Sequence, residues 1–597
     1  MKKIIDLISE EVMKAFGEAG YDSRFGTVTV SKRPDLCEYQ CSGAMGGAKQ
    51  YHKAPLVIAG EVVKILEGSD VVEGAAAVAP GFINCNVKRS FLCGYLRKMA
   101  ADDKFGMEKP EKTKTVIVDY GGPNVAKPLH VGHLRSAVIG ESIKRICRYM
   151  GHNVIGDIHM GDWGLQMGLI IYELSLRKPE LPYFDSSFTG EYPNEAPFTI
   201  SELEEIYPTA SKKSKEETDE GKAYKAKAME ATYELQNGNR GYNALWKHII
   251  SVSVTDMKRN YDNLNVHFDL WNGEASVQDR IPAMVQYLKD GGYAYLSNGA
   301  LVVDVKEDTD TKEIPPCMIL KSDGASLYNT TDLATIQDRM EKYNPDQIIY
   351  LTDKRQNLYF EQVFRCARKT KLAGENTELV HVGFGTVNGK DGKPYKTRQG
   401  GVPRLENLIS EIDEEMLRKI KANNEEKGTD TDEAEAESTS KTVGLAAIKY
   451  GDLSNQPAKD YIFDPDKFTS FEGDTGPYIL YTIVRIKSIM AKYTAAGGDV
   501  AKAQIREAAN DSEKALVMEL VKFGGVIEDA YAECAPNRIC AYIYSLSNAC
   551  NSFYHDNRIM TETDKEKQNG WIALLDLTKR VLETSIDLLG FAAPERM

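Results

Sequence analysis

The sequence predicts an α/β multidomain fold: a central parallel-sheet domain, a small α+β unit before it and an all-helical region after it. Three observations carry this. Residues 115–160 read strand, loop, helix, strand, the signature of a βαβ unit. From about residue 441 the apolar residues recur at helical spacing. The 597 residues, 42% apolar and 27% charged with a mean hydropathy of −0.40, have a globular composition and length for several domains.

Residues 1–105 open with a helix, because Ile4, Ile5, Ile8, Val12 and Phe16 fit one face. Asp6, Glu10 and Glu11 interrupt that apolar run, which argues against a secretory signal. GAMGGA (43–48) reads as Gly-rich turns, and GFINCNVKRSFL (81–92) has strand character. KFGMEKPEKTK (104–114) is polar, contains proline and reads as a linker. TVIVDYG (115–121) is a buried strand, GPNVAKP (122–128) a loop, and Leu134, Val138, Ile139, Ile143 and Ile146 mark a helix. VIGDIHM (154–160) and QIIYLTD (347–353) are further strands. Residues 180–245 are polar and helical in places, an insertion in a domain spanning 106–440. The stretch 423–440 is poor in apolar residues and reads as a solvated helix end or mobile loop. Residues 441–597 form the helical region, including one helix over 512–531.

Net charge is −14, half of it from residues 411–438, where eleven acidic residues face four basic ones. Uniform basic coating is excluded, but a local nucleic-acid-binding surface is not. No run approaches the roughly 18 apolar residues of a membrane span. The ten cysteines are scattered, and Cys37 and Cys41 have no second pair at zinc-site spacing, so no structural zinc and no other protein metal site is expected. Reduced thiols point to the cytoplasm.

His130-Val-Gly-His133 follows a strand and loop and opens a helix. Unpaired N–H groups and the dipole favour phosphate there, and Gly132 leaves room for a flat base. From these four residues alone, a structural histidine pair is the better-supported reading.

The wider stretch VDYGGPNVAKPLHVGHLRSAVIGESIKRICRYMGHNVIGDIHMGDWGLQMG (118–168) closely resembles the core of class I aminoacyl-tRNA synthetases, specifically the arginyl family in its bacterial form. SDGASLYNTTDLAT (322–335), IIYLTDKRQNLYFEQ (348–362), HVGFGTVNGKDGKPYKTRQGG (381–401) and DYIFDPDKFTSFEGDTGPYILY (460–481) continue the likeness along the chain. The resemblance implies a Rossmann-like catalytic domain, an N-terminal domain touching the tRNA elbow and an anticodon-binding helical domain. It implies ATP as substrate with Mg²⁺, L-arginine and tRNA-Arg as partners, and a monomer with no membrane association. The implied reaction forms arginyl-adenylate and pyrophosphate, then transfers arginine to the 2′-hydroxyl of the terminal adenosine.

Residue roles are carried over on matched positions. His130, His133 and Lys127 would serve the ATP phosphates, with Gly132 beneath adenine. The second class signature, usually Lys-Met-Ser-Lys-Ser, corresponds here to Lys393-Pro-Tyr-Lys396-Thr-Arg, a degenerate form. Lys127 and Lys396 therefore share one expected role, and the lysines of that segment also read as a solvated turn. Tyr328, Asp332 and Gln356 would hold the guanidinium side, and Asp119 and Asn124 the amino-acid end. Tyr478, Tyr481 and Met597 would meet the anticodon loop, although Tyr478 and Tyr481 also suit helix core. Asn84 and Tyr39 would contact the elbow. A nucleotidyltransferase acting without RNA, or a non-catalytic RNA-binding relative, are the competing functions.

Overall fold

The computed structural model describes residues 1–395, 404–427 and 432–597. In the N-terminal unit, helices α1 (Ile4–Glu18), α2 (Gly43–Tyr51), α3 (Pro55–Leu66) and α4 (Arg89–Ala100) accompany four strands. These are β1 (Val28–Val30), β2 (Tyr39–Cys41), β3 (Val72–Val78) and β4 (Phe82–Val87), antiparallel in the order β1-β2-β4-β3. The GAMGGA segment is helical, not a set of turns. Gly43, Gly46 and Gly47 let α2 lie directly on Phe25, where a side chain at Gly43 would strike the backbone. Within the strand-like segment 81–92, the alternation from Phe82 to Val87 is β4, and α4 begins two residues later.

The central sheet is parallel, in the order β11-β10-β5-β6. Its strands are β5 (Thr115–Asp119), β6 (Asn153–Asp157), β10 (Gln347–Asp353) and β11 (Glu378–Phe384). Between them a small antiparallel sheet holds β7 (Ala294–Ser297), β8 (Ala300–Val303) and β9 (Cys317–Leu320). Val116, Ile117 and Val118 are buried, as expected for a strand covered on both faces. Helix α5 (Val131–Tyr149) crosses from β5 to β6, completing the βαβ unit. Then come α6 (Leu165–Arg177), α7 (Ile200–Lys213), α8 (Asp219–Gln236), α9 (Arg240–Asn263), α10 (Ile281–Asp290), α11 (Tyr328–Tyr343) and α12 (Asn357–Lys369). The 180–245 segment supplies α7 and α8.

Helices α13 (Leu405–Lys427) and α14 (Glu433–Leu453) lead into the C-terminal region. Residues 433–440 are the opening turns of α14, so this part of the acidic stretch is ordered helix. Ala436 and Ser440 are buried there, and Glu433 and Glu435 sit at the positive end of the helix dipole. After the single turn α15 (Pro465–Phe468) follow α16 (Gly476–Ala495), α17 (Asp511–Leu520), α18 (Phe523–Ala532), α19 (Asn537–Asp556) and α20 (Lys565–Leu588). The one helix expected over 512–531 is therefore two, α17 and α18, broken at Val521 and Lys522.

Arg135 on α5 joins the sheet to the helical region. Its Nε pairs with Asp452 Oδ2 at 3.2 Å, and one terminal nitrogen donates to the carbonyls of Gly385 (2.9 Å) and Lys459 (2.8 Å). Both side chains are fully buried. Removing one partner of such a pair strands the other charge. Arg135→Ala is expected to cost about 3–5 kcal/mol, read as a lower urea midpoint. Arg135→Ala with Asp452→Asn should recover part of that loss.

Candidate active site

The site lies at the C-terminal ends of the parallel strands, where open α/β sheets expose loop backbone to ligands. Strand register sets its floor. Asp157, Asp119 and Tyr350 stand opposite one another on β6, β5 and β10. Arg339 of α11 lies across this row, with one terminal nitrogen 2.6 Å from Asp119 Oδ2 and 2.9 Å from Asp157 Oδ2. Its guanidinium is also 5.4 Å from the Tyr350 ring. Asp119, expected to hold the amino-acid end of arginine, thus spends one carboxylate oxygen on Arg339 inside the protein.

The loop after β5 is held on both sides. Gly121 takes a left-handed φ of 80° while its N–H donates to Ser136 Oγ (2.8 Å). Asn124 bridges Gly161. Ala126, also left-handed at φ 59°, donates its N–H to Ser253 Oγ at 2.9 Å. Asn124 and Lys127 then line a cavity of about 340 Å³ with Tyr207, Glu274 and Tyr328. Tyr328 is 70% exposed, so its ring is open to a ligand.

His130 and His133 cap α5 reciprocally. Gly132 N–H donates to His130 Nδ1 (3.0 Å), and His130 N–H donates to His133 Nδ1 (3.1 Å). An acceptor Nδ1 leaves the neutral ring's proton on Nε2. Burial pushes His133 down to about 3, and burial with Lys127 nearby lowers His130. Both rings are therefore neutral donors at pH 7. Gly132 is needed by the protein itself, because a Cβ there would fall 2.7 Å from the His130 ring.

Asp332 accepts a hydrogen bond from Tyr359 Oη, and burial raises its carboxyl above the ordinary range. Three residues here escaped the sequence reading. Asp162 accepts from Ala275 N–H (2.9 Å) and is raised by burial to about 6. Glu274 is raised by burial to about 7, with Asp162 and Asp332 adding to the shift. His159 stands among these carboxylates with both ring nitrogens buried and without a hydrogen-bond partner among the described residues. The position of His159 and Asp162 just past the end of β6 was the available signal. Nothing in the local pattern around Glu274 marks it.

Other expected residues fall elsewhere. Gln356 is exposed at the start of α12, outside the cavity lining. Lys393 is exposed on a turn closed by Gly389 N–H to its carbonyl (2.8 Å), as the solvated-turn reading has it, and Lys396 lies outside the described residues. Asn84 does not reach the surface: it is buried on β4, its Oδ1 accepting from Gln40 Nε2 (2.9 Å). Tyr39 is in the core on the opposite face of the same sheet, in the row with Cys41, Ile83 and Cys85, while Asn84 shares its face with Gln40. Tyr478 packs between α16 and α19, bonded to Asn548 (2.6 Å) and Asn551 (2.9 Å). Tyr481 and Met597 instead share a groove of about 650 Å³ with Arg485, Lys492 and Tyr554.

Glu274 makes the carboxylate surplus testable. Its carboxyl is raised from 4.5 to about 7, so the unfolded state ionises first as pH rises. Folding loses stability between about pH 4.5 and 7, by up to roughly 3 kcal/mol. Glu274→Gln is expected to raise the melting temperature at pH 8 and to leave it nearly unchanged at pH 5.

A family model described as tRNA synthetases class I (R), catalytic domain, matches residues 96–465. The Arginyl tRNA synthetase N terminal domain matches residues 2–87, and the DALR anticodon binding domain residues 479–597. An arginine–tRNA ligase of Agathobacter rectalis is 63% identical and one of Alkaliphilus oremlandii 55%, each over the full length of both chains. The fold is shared with the arginyl-tRNA synthetase of Plasmodium falciparum (TM-score 0.80, 24% identity, all of both chains). It is also shared with that of Thermus thermophilus (TM-score 0.75, 21% identity, 99% of this chain and 100% of the other). From its N-terminal unit to its last helix, the chain belongs to the arginyl-tRNA synthetase family of class I.

Proposed function

We propose that the chain activates L-arginine with ATP and transfers it to tRNA-Arg at the site formed by α5, α11 and the loop after β5. The observation that carries this is a neutral histidine cap at the start of α5 beside the buried carboxyls of Asp162, Glu274 and Asp332, with Lys127 and Glu274 on the wall of the same cavity. His130 and His133 present Nε2–H donors to phosphate at a helix N-terminus. Lys127 supplies the mobile positive charge as negative charge builds on pyrophosphate. Mg²⁺ carried by the ATP phosphates would shield part of their charge. Glu274 and Asp332 accept from the guanidinium, and Tyr328 covers it. Asn124 orients the amino-acid end so that its carboxylate oxygen attacks the α-phosphorus and the bond to pyrophosphate breaks. The terminal ribose hydroxyl then attacks the carbonyl carbon and releases AMP. A lysine side chain lacks the planar fork, so buried acceptors would stay unpaired.

The Tyr481 groove favours RNA: Arg485 lies 4.7 Å over the Tyr481 ring, and Lys487, Lys492 and Arg596 line the same surface. Aromatic faces beside cations suit unpaired bases.

The direct test is ATP–pyrophosphate exchange with arginine, run with and without tRNA-Arg. Arginine-dependent exchange is expected; none from folded protein under either condition would overturn the reading. Asp332→Ala should raise the KM for arginine about tenfold to 100-fold, through loss of charge-assisted bonds, with the KM for ATP nearly unchanged. Tyr481→Ala should weaken tRNA binding about fivefold or more at fixed salt while leaving the arginine KM alone.

A further inference from the structure

Lys127 has no carboxylate partner among the described residues. Its ammonium instead lies over the ring of Tyr207, 4.6 Å from the centroid. Tyr207 comes from α7, in the 180–245 insertion, about 80 residues further along the chain.

Helix α7 is firmly held. Thr199 and Glu202 form a reciprocal cap at its start. Lys178 bonds Glu202 at 2.9 Å and Arg177 bonds Glu205 at 3.0 Å, tying α7 to the end of α6. Glu204 pairs with Arg404 at 2.7 Å, and the backbone of Arg404 bridges His130. One helix therefore contacts Lys127 through Tyr207 and the histidine cap through Arg404. Pro208 removes one ladder bond on the turn that carries Tyr207.

A carboxylate beside Lys127 would neutralise its charge and compete with phosphate. An aromatic face attracts an ammonium more weakly and leaves its charge intact. We propose that Tyr207 is a positioning residue: it holds Lys127 at the cavity wall, charged and unpaired, ready to move onto the phosphates. This rests on the assignment of Lys127 to those phosphates.

The test is ATP–pyrophosphate exchange, with tRNA-Arg present, on full-length Tyr207→Phe, Tyr207→Leu, Lys127→Met and the Tyr207→Leu/Lys127→Met double variant. Tyr207→Phe keeps the ring face and should stay within about twofold of wild type. Tyr207→Leu should lower kcat about threefold to tenfold with the arginine KM unchanged. The double variant should be no slower than Lys127→Met, because the two residues act as a unit. Tyr207→Leu at the wild-type rate, Tyr207→Phe as slow as Tyr207→Leu, or losses that multiply in the double variant would each overturn the proposal. Lys127→Met at the wild-type rate would remove the phosphate role of Lys127 and the positioning role with it. Lys127→Met slow with Tyr207→Leu normal would remove only the latter.

Discussion

A single buried guanidinium, that of Arg339, ties the carboxyl ends of two neighbouring parallel strands to the helix that faces the ligand cavity. Its bonds to Asp119 and Asp157 hold β5, β6 and α11 in one arrangement. Those three elements carry the loop with Lys127, the segment with His159 and Asp162, and the turn with Tyr328 and Asp332. A charge so desolvated is tolerated only with two partners. That geometry exists because register places Asp119 and Asp157 side by side.

Arg339 spends its charge on that floor. The carboxylates above it, Asp162, Glu274 and Asp332, are all raised by burial. Such a site favours a cation whose donors are planar and several, since each acceptor regains a partner and the desolvation cost is offset. The start of α5 is built the opposite way. Two neutral imidazoles, a helix N-terminus and a lysine with no carboxylate partner among the described residues supply the donors there. The two halves meet along the loop from Gly121 to His130, where Ala126 and Gly121 adopt left-handed backbone to turn it.

Helix α5 also links this chemistry to the far end of the chain. Its first turn carries the histidine cap. Its later turns are bound to the end of α20 by Ser142 Oγ to the Leu588 carbonyl (2.8 Å) and Arg145 to Asp587 (2.9 Å). Nearby, Lys449 of α14 donates to the Gly590 carbonyl (2.8 Å) and is lowered by burial to about 7. The helical region that carries the Tyr481 groove and the helix that carries the histidine cap are therefore one packed body.

Much of this was legible beforehand. β-branched runs marked β5 and β10, helical spacing marked α5 and the helical region from 441, and the 118–168 motif identified the family. These signals are local: each depends on residues within one or two turns or strand lengths. Local reading failed where a distant neighbour decides. GAMGGA became a helix because Phe25 lies against it, Tyr39 became core because its sheet turns it inward, and Asn84 on the other face is taken up by Gln40. Asp119 came from the family resemblance, but only the fold supplied Arg339, 220 residues later. Glu274, His159 and the contact of Tyr207 with Lys127 were likewise decided by tertiary structure. The sequence by itself determined the elements and the chemistry of the signature segment; packing alone decided which charges are paired and which stay open, because pairing is a property of distance in space.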